Sequence, residues 1–521
     1  MNRFFFIVCL VLVPLVASAQ DSISVGTPVQ VPNAGTGYNS SRYEAFPFEF
    51  YDLSTSTLSM FWRSASWPYT LGNGCHAGNT CPGIEKYAKS ADDGATWTFF
   101  SGSNQCDNSL VGTGDSTHGQ PYGCLFSLPK DGSNYQDVRT GAGGITALGT
   151  YINCAFVSEN GADTGVWCSR STDHGSTWSA FTQLPSAYNV TYGQLVVISN
   201  SKIGIIVGKG GLTETDIIYS TDDGVTWGNA VKIANGSQGL YEAAFQYVGS
   251  NTIIGVMRAA PGSVEVEPQF TYSTDGGTTW ATPVAMQMPF NTTQPSYAST
   301  CTPNDDLSGI VSPWITPLSY PAGKYLLVYT ERQHCPGGTY SMLGLLQGII
   351  FDPAAVVSNV SSFGSPTTLL QLTPTSASAD MGYPTLTELS SQHVNMSFYQ
   401  PKTNSAVPVM YSAPLTIGTL SFTLTTSLAG AGTGNVQSGD GHINCPGACS
   451  ETVVQGADVD LTATASIGSV FGSWAGCTSS SNNVCHIIVN GNATVTATFN
   501  LSNPSVKRRG SVRISGTTIM R

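Results

Sequence analysis

Charge is scarce in this chain of 521 residues: Asp, Glu, Lys and Arg together make up 10%, against a usual share of about 25% in globular domains. That excludes a coiled coil and a charge-rich disordered chain. Lys and Arg number 20 against 32 Asp and Glu, a net charge of -12, which disfavours nucleic acid and anionic membrane surfaces as partners. Amphipathic helical periodicity is missing over any long stretch. No two cysteines stand at CxxC spacing and the 7 histidines show no ligand-like spacing, so neither a metal nor another cofactor is expected. The one extended apolar run, residues 4–16, is shorter than the roughly 20 residues a membrane-spanning helix needs.

That run follows Arg3 and ends at Ala17-Ser18-Ala19, the small-x-small pattern of a secretory leader. Cleavage is expected after Ala19, leaving a secreted, extracellular protein. Cys9 leaves with the leader, and 12 of the 13 cysteines then remain. An even number in an oxidising compartment reads as a disulfide framework. Proximity pairs Cys75 with Cys81, Cys106 with Cys124, Cys154 with Cys168, Cys301 with Cys335, Cys445 with Cys449 and Cys477 with Cys485.

A repeat dominates what is present. SADDGATW at 90–97, STDHGSTW at 171–178, STDDGVTW at 220–227 and STDGGTTW at 273–280 share the form S-x-D-x-G-x-T-W. The Ser and Asp oxygens accept backbone N–H bonds and the Gly tolerates positive φ, which is turn chemistry. Trp178, Trp227 and Trp280 recur at the length of one four-stranded antiparallel sheet, a propeller blade. Asp92, Asp173, Asp222 and Asp275 are therefore expected to brace turns.

These are Asp boxes, and on them the chain resembles the sialidase-like β-propellers, the BNR-repeat family. The implied fold is all-β: a six-bladed β-propeller followed by a small β-rich C-terminal domain. Blades are expected to begin near Tyr43, Asp137, Tyr192, Leu240, Ile310 and Met381, with closure near Leu424. The domains expected are a leader at 1–19, the propeller at 20–425, a small disulfide-containing β-repeat domain at 426–500 and a basic tail at 501–521. The layout CPGAC, VDLTATA, FGSWAGC and VTATF after residue 436 is similar to internalin-type B-repeat modules, which implies a spacer or an attachment unit for a cell surface or matrix.

In an antiparallel hairpin the start of the first strand and the end of the second share one edge of the sheet. This brings Glu242 and Arg258 together in blade four, Arg42 and Arg63 in blade one, and Asp137, Arg139 and Glu159 in blade two, with Arg332 in blade five and Tyr383 in blade six. The family uses three arginines for a substrate carboxylate, a tyrosine nucleophile assisted by a glutamate, and an aspartate acid/base. The resemblance implies Tyr383 and Glu242 as the catalytic pair and Arg258 and Arg332 as two of the arginines. Ala45-Phe46-Pro47 stands where the family carries Arg-Ile-Pro, which leaves Arg42, Arg63 or Arg139 for the third, Arg63 first and Arg139 next. No Asp lies between Arg63 and Asp92, so His76, Glu85, Asp115 and Asp137 remain for the acid/base, Asp137 being taken provisionally. The expected activity is that of an exo-α-sialidase-like glycoside hydrolase acting on an acidic glycan. The alternative is a noncatalytic glycan-binding or adhesive propeller.

Overall fold

In the computed structural model the described residues are 22–31, 43–65, 83–100, 124–128, 136–159, 162–209, 214–235, 240–259, 266–286, 310–333, 343–372, 381–401, 408–418, 421–454, 457–489 and 491–502. They are almost entirely strand; the helical content is a single turn at Pro353–Ser358 and a 3-10 turn at Val360–Phe363. No helix among them is long and apolar enough to cross a membrane. Two compact units are present, Ser22–Gly418 and the segment from Thr419 onward.

The first unit is a succession of antiparallel runs, each a leading strand followed by its hairpin partners. The leading strands are Tyr43–Asp52, Gln136–Ile145, Tyr188–Ser199, Leu240–Gly249, Ile310–Pro317 and Gly382–Ser390. Each packs against the leading strand of the next run, and the last packs against the first, so the circuit closes on itself. The final run is completed by the N-terminus: Ser22–Val25 pairs antiparallel with Pro408–Gly418, Ser22 opposite Gly418.

The four Asp boxes share one geometry. In the third, Ser220 Oγ donates to Asp222 Oδ1 at 2.8 Å and accepts from Gly224 N at 2.8 Å, while Thr226 N and Oγ1 donate to the two Asp222 oxygens at 2.8 and 2.6 Å. The same bonds recur at Asp92, Asp173 and Asp275. Each box glycine also sits against the preceding run. A Cβ on Gly175 would lie 2.0 Å from Tyr87 Oη, and one on Gly94 would lie 2.6 Å from Ser412 Oγ. The first box is thus seated on the last run, a second closure of the circuit.

Between the runs lies a mostly apolar core. One cluster joins Phe48 and Phe61 to Tyr151, Trp314, Leu346, Leu386 and Leu415. Buried carboxyls interrupt it, Glu49 and Glu85 among them. Glu49 accepts from Ser397 Oγ at 2.5 Å and Asn395 Nδ2 at 2.8 Å, and Glu85 accepts from Asn153 Nδ2 at 2.6 Å. Burial pushes both up to about 8, against the opposing pull of those hydrogen bonds.

In the C-terminal unit one sheet has the order Ser450–Val454, Ser421–Ala429, Ala493–Leu501, Ser469–Ala475. The other has the order Asn444–Cys445, Gly434–Ser438, Ala457–Ala465, Val484–Val489, Ser479–Ser481. Their shared core includes Leu424, Val436, Leu461, Val495 and Phe499. Ser421–Ala429 pairs with Ser450–Val454 and Ala493–Leu501, so this unit starts a few residues before the position where the composition changes. The disulfides Cys154–Cys168, Cys445–Cys449 and Cys477–Cys485 are formed as expected. Cys124 is disulfide-bonded; Cys75, Cys81, Cys106, Cys301 and Cys335 lie outside the described residues, as do the leader and residues 503–521 of the basic tail.

Candidate active site

Every leading strand is broken at the same level by a register shift against its hairpin partner. The residues at the shifts are Phe46, Gly141, Gly193, Glu242, Ser312 and Tyr383. A bulge kinks a strand and re-aims one side chain, and here all six residues line one cavity of about 110 Å³. Five have left-handed backbone: φ is 56° at Phe46, 88° at Gly193, 40° at Glu242, 51° at Ser312 and 52° at Tyr383. That conformation is strained for a residue with a Cβ, and strain of this kind concentrates at functional sites. Glycine is required at the third position, since a Cβ on Gly193 would lie 2.1 Å from the carbonyl oxygen of Ala243.

The bulges of the fourth and sixth runs bring two expected residues together. Tyr383 Oη donates to Glu242 Oε1 at 2.5 Å. Arg258 Nη1 donates to Glu242 Oε2 at 2.8 Å, and the backbone N–H of Ser312 donates to the same oxygen at 3.2 Å. Tyr383 N donates to Thr330 Oγ1 at 3.0 Å, which ties its backbone to the fifth run. Phe46 meets the Tyr383 ring edge-on at 4.8 Å between centroids. A carboxylate accepting from a phenol is placed to take that phenol's proton, and a guanidinium on its other oxygen holds its orientation.

The remaining expected residues divide. Arg139 lines the cavity, with its guanidinium 5.8 Å from the Phe156 ring centroid. Its Nε donates to Asp137 Oδ2 at 2.9 Å. Arg63 lies elsewhere: it is 0% exposed and bidentate to Asp137, Nε to Oδ1 at 2.8 Å and Nη2 to Oδ2 at 3.0 Å. Neither Arg63 nor Asp137 is on the cavity wall. With both oxygens taken by guanidinium donors, Asp137 braces two arginines. Glu85 is likewise buried away from the cavity, against Asn153. Arg332 is in the strand Tyr325–Gln333, opposite Gly344; its side chain, with Arg42, His76 and Asp115, lies outside the described residues.

The sequence reading did not single out Phe46, Thr140, Phe156, Tyr192, Ser312, Trp314 and Thr385 as site residues, yet all line the cavity. None of the four Asp-box carboxylates does. Their own partners hold them below the usual range; at exposed Asp275 the Thr279 hydroxyl is the largest cause. Among the described residues two His and carboxylate groupings come close to metal-ligand geometry, Asp440 with His442 and Glu451, and Asp458 and Asp460 with His486. Both are His–carboxylate contacts on the C-terminal unit, with their carboxylates mostly exposed.

Two parts of the chain resemble known proteins. Residues 432–503 match the divergent InlB B-repeat domain, in agreement with the resemblance of that segment. A protein of unknown function from Dyadobacter fermentans has a structure similar to this one, with a TM-score of 0.54 at 16% identity, covering 76% of this chain and 99% of that one. The NanB sialidase of Streptococcus pneumoniae aligns with a TM-score of 0.47 at 14% identity, covering 75% of this chain and 71% of its own. A Trypanosoma rangeli sialidase aligns at 0.42 and 14%, covering 75% and 57%. No curated protein matches the sequence. The chain therefore carries an all-β fold shared with the Dyadobacter protein, followed by a B-repeat-type module.

Proposed function

We propose that the protein is a secreted glycosidase of the sialidase type, built on a six-bladed propeller, which releases a terminal acidic sugar with retention of configuration. The observation that carries this reading is the 2.5 Å hydrogen bond from Tyr383 to Glu242 on the cavity wall, with Arg258 on the second carboxylate oxygen. Glu242 takes the phenolic proton as the Tyr383 oxygen bonds to the anomeric carbon and the bond to the leaving oxygen breaks. The leaving oxygen takes a proton from solvent; water then displaces the tyrosine oxygen, releasing one proton to solvent, and Glu242 returns the phenolic proton to Tyr383. A neutral nucleophile avoids the repulsion an anionic carboxylate nucleophile would meet from an acidic sugar. Arg139 and Arg258 supply the nearby positive charge. The leader implies export, and the B-repeat-type module attachment to a surface or matrix.

One observation favours a second reading, a glycan-binding propeller without turnover. Among the described residues Glu242 is the sole carboxylate on the cavity wall, and Tyr383 and Arg258 already occupy it. A 4-methylumbelliferyl sialoside separates the two, because its aryl leaving group departs without a proton donor. Turnover by the purified mature protein is the expected result. Binding of the free sugar without turnover would assign the second reading, and neither binding nor turnover would reject both.

A further inference from the structure

Four side-chain hydroxyls carried by residues of the cavity wall have no protein partner among the described residues. They belong to Thr140, Tyr192, Ser312 and Thr385, contributed by four different runs around the Tyr383–Glu242 pair. Thr140 and Thr385 are only 5% and 3% exposed, and the Oγ1 of each is buried and unsatisfied. Buried hydroxyls are ordinarily hydrogen-bonded, and leaving one unmade is costly. Four together around one cavity are the complement of a ligand that brings its own donors and acceptors.

The charged groups around the same cavity are differently placed. Arg139 is engaged with Asp137 and Arg258 with Glu242. The same wall carries the rings of Phe46, Phe156 and Trp314, which suit the C–H faces of a pyranose. Tyr192 carries the one phenol of the four. Its ring meets Phe156 edge-on at 5.3 Å. Burial chiefly, then the charges of Glu242 and Asp163, keep its phenol protonated against the opposing influence of Arg139 and Arg258.

From this arrangement we infer that Tyr192 is a specificity-determining residue: its neutral phenol, with the hydroxyls of Thr140, Ser312 and Thr385, reads the hydroxyl pattern of the bound sugar ring, and this neutral set discriminates among sugars more than ionic contact does. The inference rests on the reading of the cavity as a sugar site. It goes further in assigning selectivity to neutral groups that any pyranose can satisfy in part, whether or not it carries a carboxylate.

The test is calorimetric titration of the intact mature protein with N-acetylneuraminic acid, glucuronic acid and galactose, the last without a carboxylate. Tyr192→Phe and Thr385→Val each remove a hydroxyl at nearly constant shape, and circular dichroism checks that both variants fold. Each should weaken the best ligand about tenfold, the size expected for one lost hydrogen bond. A deoxy analogue lacking the paired hydroxyl should bind parent and Tyr192→Phe equally. Affinity should change less than about threefold between about 0.05 and about 0.5 M salt, since neutral contacts are not screened. Unaltered affinity in folded Tyr192→Phe, or a steep fall with salt, would overturn the inference while leaving the sugar site standing. Failure of all three sugars to bind the parent protein would remove the sugar site and the inference together.

Discussion

The first unit carries two repeated devices, and they differ in what repeats. At the Asp boxes the residues and the geometry recur together: Ser, Asp, Gly and Thr make the same bonds at Asp92, Asp173, Asp222 and Asp275. At the bulges of the leading strands the geometry recurs, while the residues are Phe46, Gly141, Gly193, Glu242, Ser312 and Tyr383. A turn needs the same chemistry wherever it occurs, so its sequence is held. A bulge needs only a backbone shift, so each copy is free to present a different side chain to the shared cavity. Repetition of residues marks the scaffold here, and repetition of shape with unlike residues marks the site.

Substitutions at the two devices should therefore separate activity from stability. The largest effect is expected at Tyr383→Phe, which removes one oxygen and keeps the ring packed on Phe46. Turnover of an aryl sialoside should fall by several orders of magnitude with the urea midpoint little changed. Full activity in that variant would end the assignment of Tyr383 as nucleophile.

A smaller effect is expected between the two devices, at Glu49. Its folded pKa of about 8 lies above the ordinary value of 4.5, so the folded state holds a proton that the unfolded chain releases. Stability from this group is whole below about 4.5 and is lost as pH rises towards about 8. Glu49→Gln, which mimics the protonated form, should flatten that decline by at least about 1 kcal/mol, read from urea midpoints at the two ends of the window. An equal slope in parent and variant would contradict the buried neutral carboxyl.

The smallest effect is expected at a box. Asp222→Ala removes acceptors from an exposed turn and should cost about 1 kcal/mol of stability. Its kcat and KM should stay within about twofold of the parent, the range expected for a residue remote from the reacting atoms. Selective loss of turnover at unchanged stability would break the division drawn between the two devices.

The same division explains what was legible in the sequence. The boxes announced a circuit of antiparallel sheets because their chemistry is local, complete within eight residues. Glu242 and Tyr383 were legible through strand position and family resemblance, although their meeting spans 141 residues. Arg63 and Arg139 were harder to separate. Both stand at the right edge and both bond Asp137, but Arg63 does so bidentately and fully buried, whereas Arg139 uses Nε alone and stays partly exposed on the cavity wall. Thr140, Tyr192, Ser312 and Thr385 read as ordinary strand residues until the register shifts turn them inward. Part of that signal was present: Phe46-Pro47, Ser312-Pro313 and Tyr383-Pro384 place proline inside a strand, which points to a bulge. The start of the C-terminal unit was displaced because the partners of Ser421–Ala429 come from the distant segments Ser450–Val454 and Ala493–Leu501.

The pairing of Ser22–Val25 with Pro408–Gly418 bears on the order in which the molecule is assembled. Its two strands are the first and last of the unit, so this contact has the greatest sequence separation in the circuit and cannot form until almost all of the unit has been synthesised. Contacts of such range are the slow ones, since the loop-closure entropy falls due before the pairing contributes. During translation the earlier runs can form their hairpins one at a time, while Ser22–Val25 waits unpaired until the strand it joins, Pro408–Gly418, has emerged. An emerging chain is thereby kept an open arc, and it becomes a ring only when its two ends meet.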